Sequence, residues 1–325
     1  MKTENNEIVC AVDIGGTKTL IGLISKKGEV ICKKRFETNI TENPYDHLNK
    51  CIEYIKCCCD ECNVKEQSIN GIGVSVPGLT DSSNGILLKA PYAGWINVNI
   101  RDYFSSFYPS KIIKVANDVN ACASGELVFG EGRKYSSFIW VTISTGIGAG
   151  LVINGQIYEG EFGIAGELGH TIVEWEHGLK CTCGNIGCFE ACASGNAIAK
   201  YAKEICLENN NCQLKRYFYD ENLEITAESV ARAARSGIIE GREIYDRVAK
   251  YAGRALSYAV NIINPGCIFI GGGVGLSFDL LETGIRRVIQ NSVICQSNKI
   301  IPITKTKLGY DASLIGAASL LFGPD

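Results

Sequence analysis

Residues 8–35 read IVCAVDIGGTKTLIGLISKKGEVICKKR, and their pattern decides the fold. Ile8–Asp13 is an apolar run of the kind a buried strand shows, broken by Gly15-Gly16. Thr19–Ile24 is a second such run, and Gly28 marks a turn into a third strand at Val30–Arg35. Strands joined by tight glycine turns form an antiparallel meander. The same layout returns further on: Phe138–Ser144, the turn Gly146-Ile147-Gly148, Leu151–Ile153, the turn Asn154-Gly155, then Gln156-Ile157-Tyr158. A repeated order of strand, glycine turn, strand, turn and strand implies an internal duplication. The expectation is two related α/β lobes with a cleft between them.

Around these repeats, residues 45–62 carry Leu48, Ile52, Ile55 and Cys59 at helical spacing. Ile69–Val76 reads as a strand stopped by Pro77-Gly78, and Lys111–Val115 as another ending at Asn117-Asp118. The second half reads as mostly helical, over 189–206, 226–236, 240–263 and 278–291, with a strand at Cys267–Ile270 running into Gly271-Gly272-Gly273. Asp311–Phe322 reads as a final helix with Asp311 as its N-cap. No Pro/Ser-rich linker separates the lobes, which suggests packing about a shared hinge.

The chain has 325 residues, is 46% hydrophobic and 21% charged, and so has the makeup of a soluble two-domain protein. A net charge of −3 gives no electrostatic reason to expect nucleic acid as a partner. No apolar run reaches ~18 residues, so no membrane helix is expected. The start, MKTENNEIVC, lacks the apolar core of a secretory signal. Sixteen cysteines could suggest disulfides, but a large core does not need such staples, and a reducing cytoplasm is the expectation. Cys10, Cys122 and Cys267 lie in apolar runs, where a thiol behaves as a small hydrophobe. Cys57, Cys58, Cys59 and Cys62 have no histidine nearby and read as helix packing in preference to a metal site.

Asp13-Ile14-Gly15-Gly16-Thr17-Lys18 stands at a strand-to-strand turn. Its glycines let the backbone approach a ligand and offer N–H donors to phosphate oxygens, and Asp13 can hold Mg²⁺ through water. The plainer alternative is a hairpin closure. Thr145-Gly146-Ile147-Gly148-Ala149-Gly150 occupies the matching turn of the repeat, and two such turns suit a polyphosphate. Neither is a P-loop or a GxGxxG turn, both of which lead into a helix. Asn117-Asp118 ends a strand, where a carboxylate can accept a proton from an attacking hydroxyl or simply cap the next helix.

The strongest local signal is Cys181-Thr182-Cys183-Gly184-Asn185-Ile186-Gly187-Cys188. Three thiols with glycines that let the chain fold back make a compact ligand loop, and His170 or His177 completes a Cys₃His set suited to closed, structural zinc. Glu167, His170 and Glu190 flank the loop, and carboxylates there suit hydroxyl-rich ligands.

In this order and over essentially the whole chain, these motifs resemble the ROK family of sugar kinases and related repressors. The pattern Cys-x-Cys-Gly-x-x-Gly-Cys-x-Glu at Cys181–Glu190 is highly specific to that family, and Gly166-Glu167-Leu168-Gly169-His170 matches another of its motifs. One departure is Ser144, where many relatives have glycine. The resemblance implies a duplicated actin/hexokinase-like (ribonuclease H-like) α/β fold. Residues 1–116 and 311–325 would form the small lobe, and 117–310 the large lobe with the zinc loop. It implies ATP, Mg²⁺ and a structural Zn²⁺ on His170, Cys181, Cys183 and Cys188, which favours His170 over His177. Asp13, Gly15, Gly16, Thr17, Lys18, Thr145, Gly146, Gly148, Gly271, Gly272 and Gly273 would serve the nucleotide. Asn117, Asp118, Glu167, His170 and Glu190 would bind sugar, with Asp118 as the catalytic base.

The implied activity is transfer of phosphate to the 6-hydroxyl of a hexose, glucose first, with N-acetylmannosamine, N-acetylglucosamine or fructose as alternatives. The stretch Pro77–Trp95 is expected to shape the pocket near the sugar's C2. The family's repressors carry an N-terminal helix-turn-helix. The first strand near residue 8 and the acidic charge argue for an enzyme with small-molecule partners, no nucleic acid and no membrane. Relatives are often dimers or tetramers, so a homo-oligomer is expected.

Overall fold

The computed structural model describes residues 7–90, 92–209 and 211–323. Residues 1–6 of the stretch read for a secretory signal, and Pro91, lie outside the described residues. The chain divides into two compact units. One comprises the chain up to Ser136, Gly150–Ala165 and the part from Thr306 onward; the other comprises Ser137–Ala149 and Gly166–Lys305.

In the first unit the opening meander forms β1 (Ile8–Ile14), β2 (Lys18–Ser25) and β3 (Val30–Glu37). β1 pairs antiparallel with β2 from Ile8↔Ser25 to Ile14↔Thr19. β4 (Ile69–Val76) lies parallel to β1 on its other side. Three short strands follow, β5 (Leu79–Asp81), β6 (Ile86–Ala90) and β7 (Trp95–Asn99), as a separate antiparallel sheet. β8 (Ile112–Asn117) then joins β4 in parallel, giving the order β3-β2-β1-β4-β8.

β1 is apolar on both faces because both are covered. On one face Cys10 and Val12 meet Leu48, Cys51, Ile55 and Cys58 of α1 (Pro44–Glu61). Asn43 starts that helix by accepting the Tyr45 N–H at 2.9 Å, with Pro44 in the first turn. On the other face Val9 and Ala11 meet Leu314, Ala317 and Ala318 of the C-terminal helix, Ala312–Ser319. Leu314 is fully buried, and truncation to alanine at such a site costs about 2–5 kcal/mol. Two further helices complete this unit, α2 (Ile100–Phe107) and α3 (Asp118–Val128). Asp311 does not cap the C-terminal helix as expected. Its φ of −95° and ψ of 10° lie outside the extended region a cap requires, and its carboxylate accepts from Lys33 Nζ at 2.7 and 2.9 Å.

The second unit is built on β9 (Phe138–Ile143), which pairs in parallel with β12 (Ile268–Gly271), itself parallel to β13 (Ile303–Lys305). β10 (Ile147–Ile153) starts in this unit, and its later residues pair antiparallel with β11 (Gln156–Ile157). The sheet order is β11-β10-β9-β12-β13. The helical stretch read over 189–206 is two helices, α4 (Phe189–Ala193) and α5 (Gly195–Glu208). Ser194 breaks it in extended backbone and caps α5, accepting the Ala197 N–H. α6 (Gln213–Asp220), α7 (Ala227–Arg235), α8 (Ile239–Ile263), α9 (Gly272–Gly275) and α10 (Phe278–Ser292) complete the unit.

Candidate functional site

In the first unit β1, β4 and β8 run side by side in parallel, and their register sets Asp13 opposite Ser75 and Val76 opposite Asn117. The carboxyl ends of three neighbouring strands therefore carry Asp13, Ser75 and Asn117, the edge where α/β sheets place functional groups. Asp13 is 8% exposed. Its Oδ1 accepts from Ser75 Oγ at 2.7 Å and its Oδ2 from Ser313 Oγ, on the C-terminal helix, at 2.5 Å. Burial raises the Asp13 pKa, and the two hydroxyls and the Lys18 charge oppose it. Each oxygen keeps a second lone pair, which suits a carboxylate holding Mg²⁺ through water.

Beyond Asp13, the Gly15 N–H donates to Lys18 O at 2.9 Å and closes the turn, leaving Gly16, Thr17 and Lys18 exposed. The turn is anchored from below. The Thr38 N–H donates to Thr17 O at 3.0 Å, and the Thr19 hydroxyl lies 2.9 Å from both Thr38 Oγ1 and His47 Nε2. His47 is wholly buried, which lowers its pKa against the opposing Glu42 charge.

Asn117 Oδ1 accepts the N–H groups of Val119 and Asn120 at 2.9 and 3.3 Å, and its Nδ2 donates to Gly78 O at 3.1 Å. Asn117 is thus the cap, and Asp118 is the first residue of α3.

In the second unit the Ser144 N–H donates to Gly146 O at 2.9 Å, and the Gly195 N–H donates to Ser144 O at 2.7 Å. Thr145 is exposed at the tip, whereas Gly148 lies inside β10. Glu190 Oε2 accepts the Ile147 N–H at 2.8 Å, and a Cβ at Gly146 would stand 2.7 Å from that oxygen. Only glycine leaves room for the carboxylate, so Glu190 positions the loop as well as flanking the cysteines. Gly271 ends β12 with its α-carbon against the Trp140 indole, and Gly272 and Gly273 open α9.

His170, Cys181, Cys183 and Cys188 come together, with their ligand atoms all within 4.8 Å of one another. His170 Nδ1 lies 3.7 Å from Cys181 Sγ, and Cys183 Sγ lies 3.6 Å from Cys188 Sγ. A tetrahedral zinc with bonds of about 2.0–2.3 Å needs ligand separations of roughly 3.5–3.8 Å, so this donor set fits the ion. His177 is not part of the group. Gly187 turns the chain at φ +80°, where a Cβ would meet Glu174 O, and Arg254 of α8 donates to Val173 O at 2.6 Å. The Asn185 N–H draws the Cys183 thiol down, and burial pushes Cys188 up to about 12. The second ring nitrogen of His170, Nε2, faces Glu167 Oε2 at 3.7 Å.

Some partners escaped the sequence reading. Ser75 could have been found from strand register, since it pairs across from Asp13. Ser313 lies three hundred residues from Asp13 and has no local signal.

The profile of the ROK family matches residues 9–323. A glucokinase of Halalkalibacterium halodurans is 32% identical over 317 residues, covering 95% of this chain and 93% of its own. A xylose repressor of Caldicellulosiruptor bescii is likewise 32% identical, covering 96% of this chain and 77% of its own. Among solved structures, a ROK family glucokinase of Streptomyces griseus in complex with glucose and AMPPNP superposes with a TM-score of 0.83. It is 27% identical and covers 96% of this chain and 98% of its own. With these sheets and helices the fold is the actin-like ATPase fold of ROK glucokinases, and the chain belongs to the ROK family.

Proposed function

We propose that this protein is an ATP-dependent hexose kinase that phosphorylates the 6-hydroxyl, with glucose as its substrate. The observation that carries the reading is at the carboxyl ends of β1, β4 and β8. A carboxylate oriented by two hydroxyls, Asp13, shares that edge with Asn117-Asp118, where Asn117 performs the capping. Similarity to glucokinases, one solved with glucose and AMPPNP, supports it. The chemistry needs ATP, which places the enzyme in the cytoplasm.

In this mechanism Asp118 accepts the proton of the 6-hydroxyl as its oxygen attacks the terminal phosphate of ATP. Asn117, Glu167, His170 and Glu190 bind the other sugar hydroxyls. The Gly15–Lys18 turn and the Thr145–Gly148 stretch, with Gly271–Gly273, receive the nucleotide. Asp13 would hold Mg²⁺, which would supply neutralisation of the phosphate charge. His170, Cys181, Cys183 and Cys188 would hold a zinc ion; four protein donors would leave it no open position, so it would serve to fix the His170 ring.

ADP release measured across glucose, mannose, fructose and the N-acetylhexosamines tests this reading and names the sugar. Similarity to a xylose repressor favours a second reading, a sugar-binding regulator. That reading predicts sugar binding with no sugar-dependent ADP release.

A further inference from the structure

Tyr92 stands in the turn between β6 and β7, where the Ala93 N–H donates to Ala90 O at 3.1 Å. Its ring lies against Gly16 of the first glycine turn: a Cβ built on that glycine would be 3.6 Å from Tyr92 Cδ2. The Trp95 ring lies beside it, tilted by 51° with the centroids 6.4 Å apart. Trp95 is itself fixed, donating from Nε1 to Glu42 O at 3.2 Å and packing 5.4 Å from the His47 ring. The tyrosine is therefore held in place by its neighbours.

Its hydroxyl is not satisfied. Tyr92 Oη is buried and has no hydrogen-bond partner among the described residues. Burial and then the nearby charges of Asp118 and Asp13 push the phenol upward, so it stays protonated and able to donate at neutral pH. A phenylalanine would fill the same space without leaving a polar atom unpaired, so packing alone does not account for the hydroxyl. The ring thus stands beside the turn that follows Asp13, at the strand edge that also carries Asn117-Asp118.

We infer that Tyr92 is a sugar-binding residue whose hydroxyl pairs with a hydroxyl of the hexose held at Asn117 and Asp118. This rests on the sugar-kinase reading and adds a residue to it. A site that hydrogen-bonds a substrate hydroxyl discriminates strongly against analogues lacking it, because its own polar group is then left unpaired. Tyr92 thus contributes to the choice among hexoses.

The test is Tyr92→Phe, which removes one oxygen and nothing else. Calorimetric titration with glucose, mannose and N-acetylmannosamine, thermal melting without sugar, and steady-state kinetics are measured on both proteins. The expected result is a melting temperature equal to or above wild type. Affinity for the preferred sugar falls about tenfold, KM rises to match and kcat changes little. Unchanged sugar affinity in the variant, or a lowered melting temperature, overturns the inference while leaving the kinase reading intact. A wild-type protein that binds none of the sugars overturns the kinase reading itself, and the inference with it.

Discussion

Asp13 reaches its position on a seven-residue strand paired on both sides, while His170 stands in a stretch with almost no regular structure. From Gly166 to Cys188 there is one 3₁₀ turn, Leu168–His170, and two isolated bridges, Ile172↔Cys188 and Lys180↔Ile186. The first region is held by ladder hydrogen bonds and a core on each face. The second is held by glycine turns, Arg254 and the convergence of three thiols and a histidine. Precision comes from the sheet in one case and from the donor set in the other, so the two should respond differently to the same insults.

The largest effect is expected at Asp118. In the account above Asp118→Asn lowers kcat by about 10²–10⁴-fold while sugar binding is kept, as read by kinetics alongside titration. Near-normal turnover would remove Asp118 from the role of base. Cys183→Ser should come next: loss of zinc by elemental analysis and a KM for sugar raised about 10–100-fold. Because all four donors lie in the second unit, exchange protection of β1 and β4 should persist while that of residues 171–188 is lost. Equal loss in both would erase the contrast between the regions.

Smaller effects probe the sheet-held site. Ser313→Ala removes one of the two hydroxyls on the Asp13 carboxylate and should destabilise the protein by about 1–3 kcal/mol, measured by denaturant unfolding. His47 sets a pH dependence whose sign is fixed. Burial holds its folded pKa below the ordinary value, so the unfolded chain binds the proton more readily. Its contribution to stability is intact above the unfolded value near 6.5 and is lost as pH falls through it toward the lowered folded value. Melting temperatures taken between about pH 7.5 and pH 5.5 should fall, and His47→Gln should flatten that fall.

Much of the sheet-held region was legible because its signals are local. The β1–β3 meander follows from apolar runs and glycine punctuation, and β4 was read from Ile69 to Val76 as the structure has it. The strands β5, β6 and β7 are segments of only three to five residues, too short to carry a periodicity that sequence reveals. The second glycine turn was placed too late: the chain turns at Ser144–Gly146, and Ile147 already begins β10. The apolar spacing that runs through 189–206 hides the break at Ser194, whose hydroxyl makes it a better cap than interior residue. The donor loop was legible in its cysteines, because their spacing is itself the signal. Spacing left His170 and His177 open, the family resemblance favoured His170, and the structure brings His170 to the three cysteines. The Ser313 bond to Asp13 depended on the packing of the last helix against β1, which no local pattern encodes.

The most direct test of the central claim is the identity of the product. Wild-type protein is incubated with glucose, ATP and Mg²⁺, and the sugar is analysed by phosphorus–proton correlated NMR. The expected product carries phosphate on the 6-position, formed in step with ADP and about 10²–10⁴-fold more slowly with Asp118→Asn. Phosphate on another carbon, or ADP formation that does not depend on sugar, would contradict the claim.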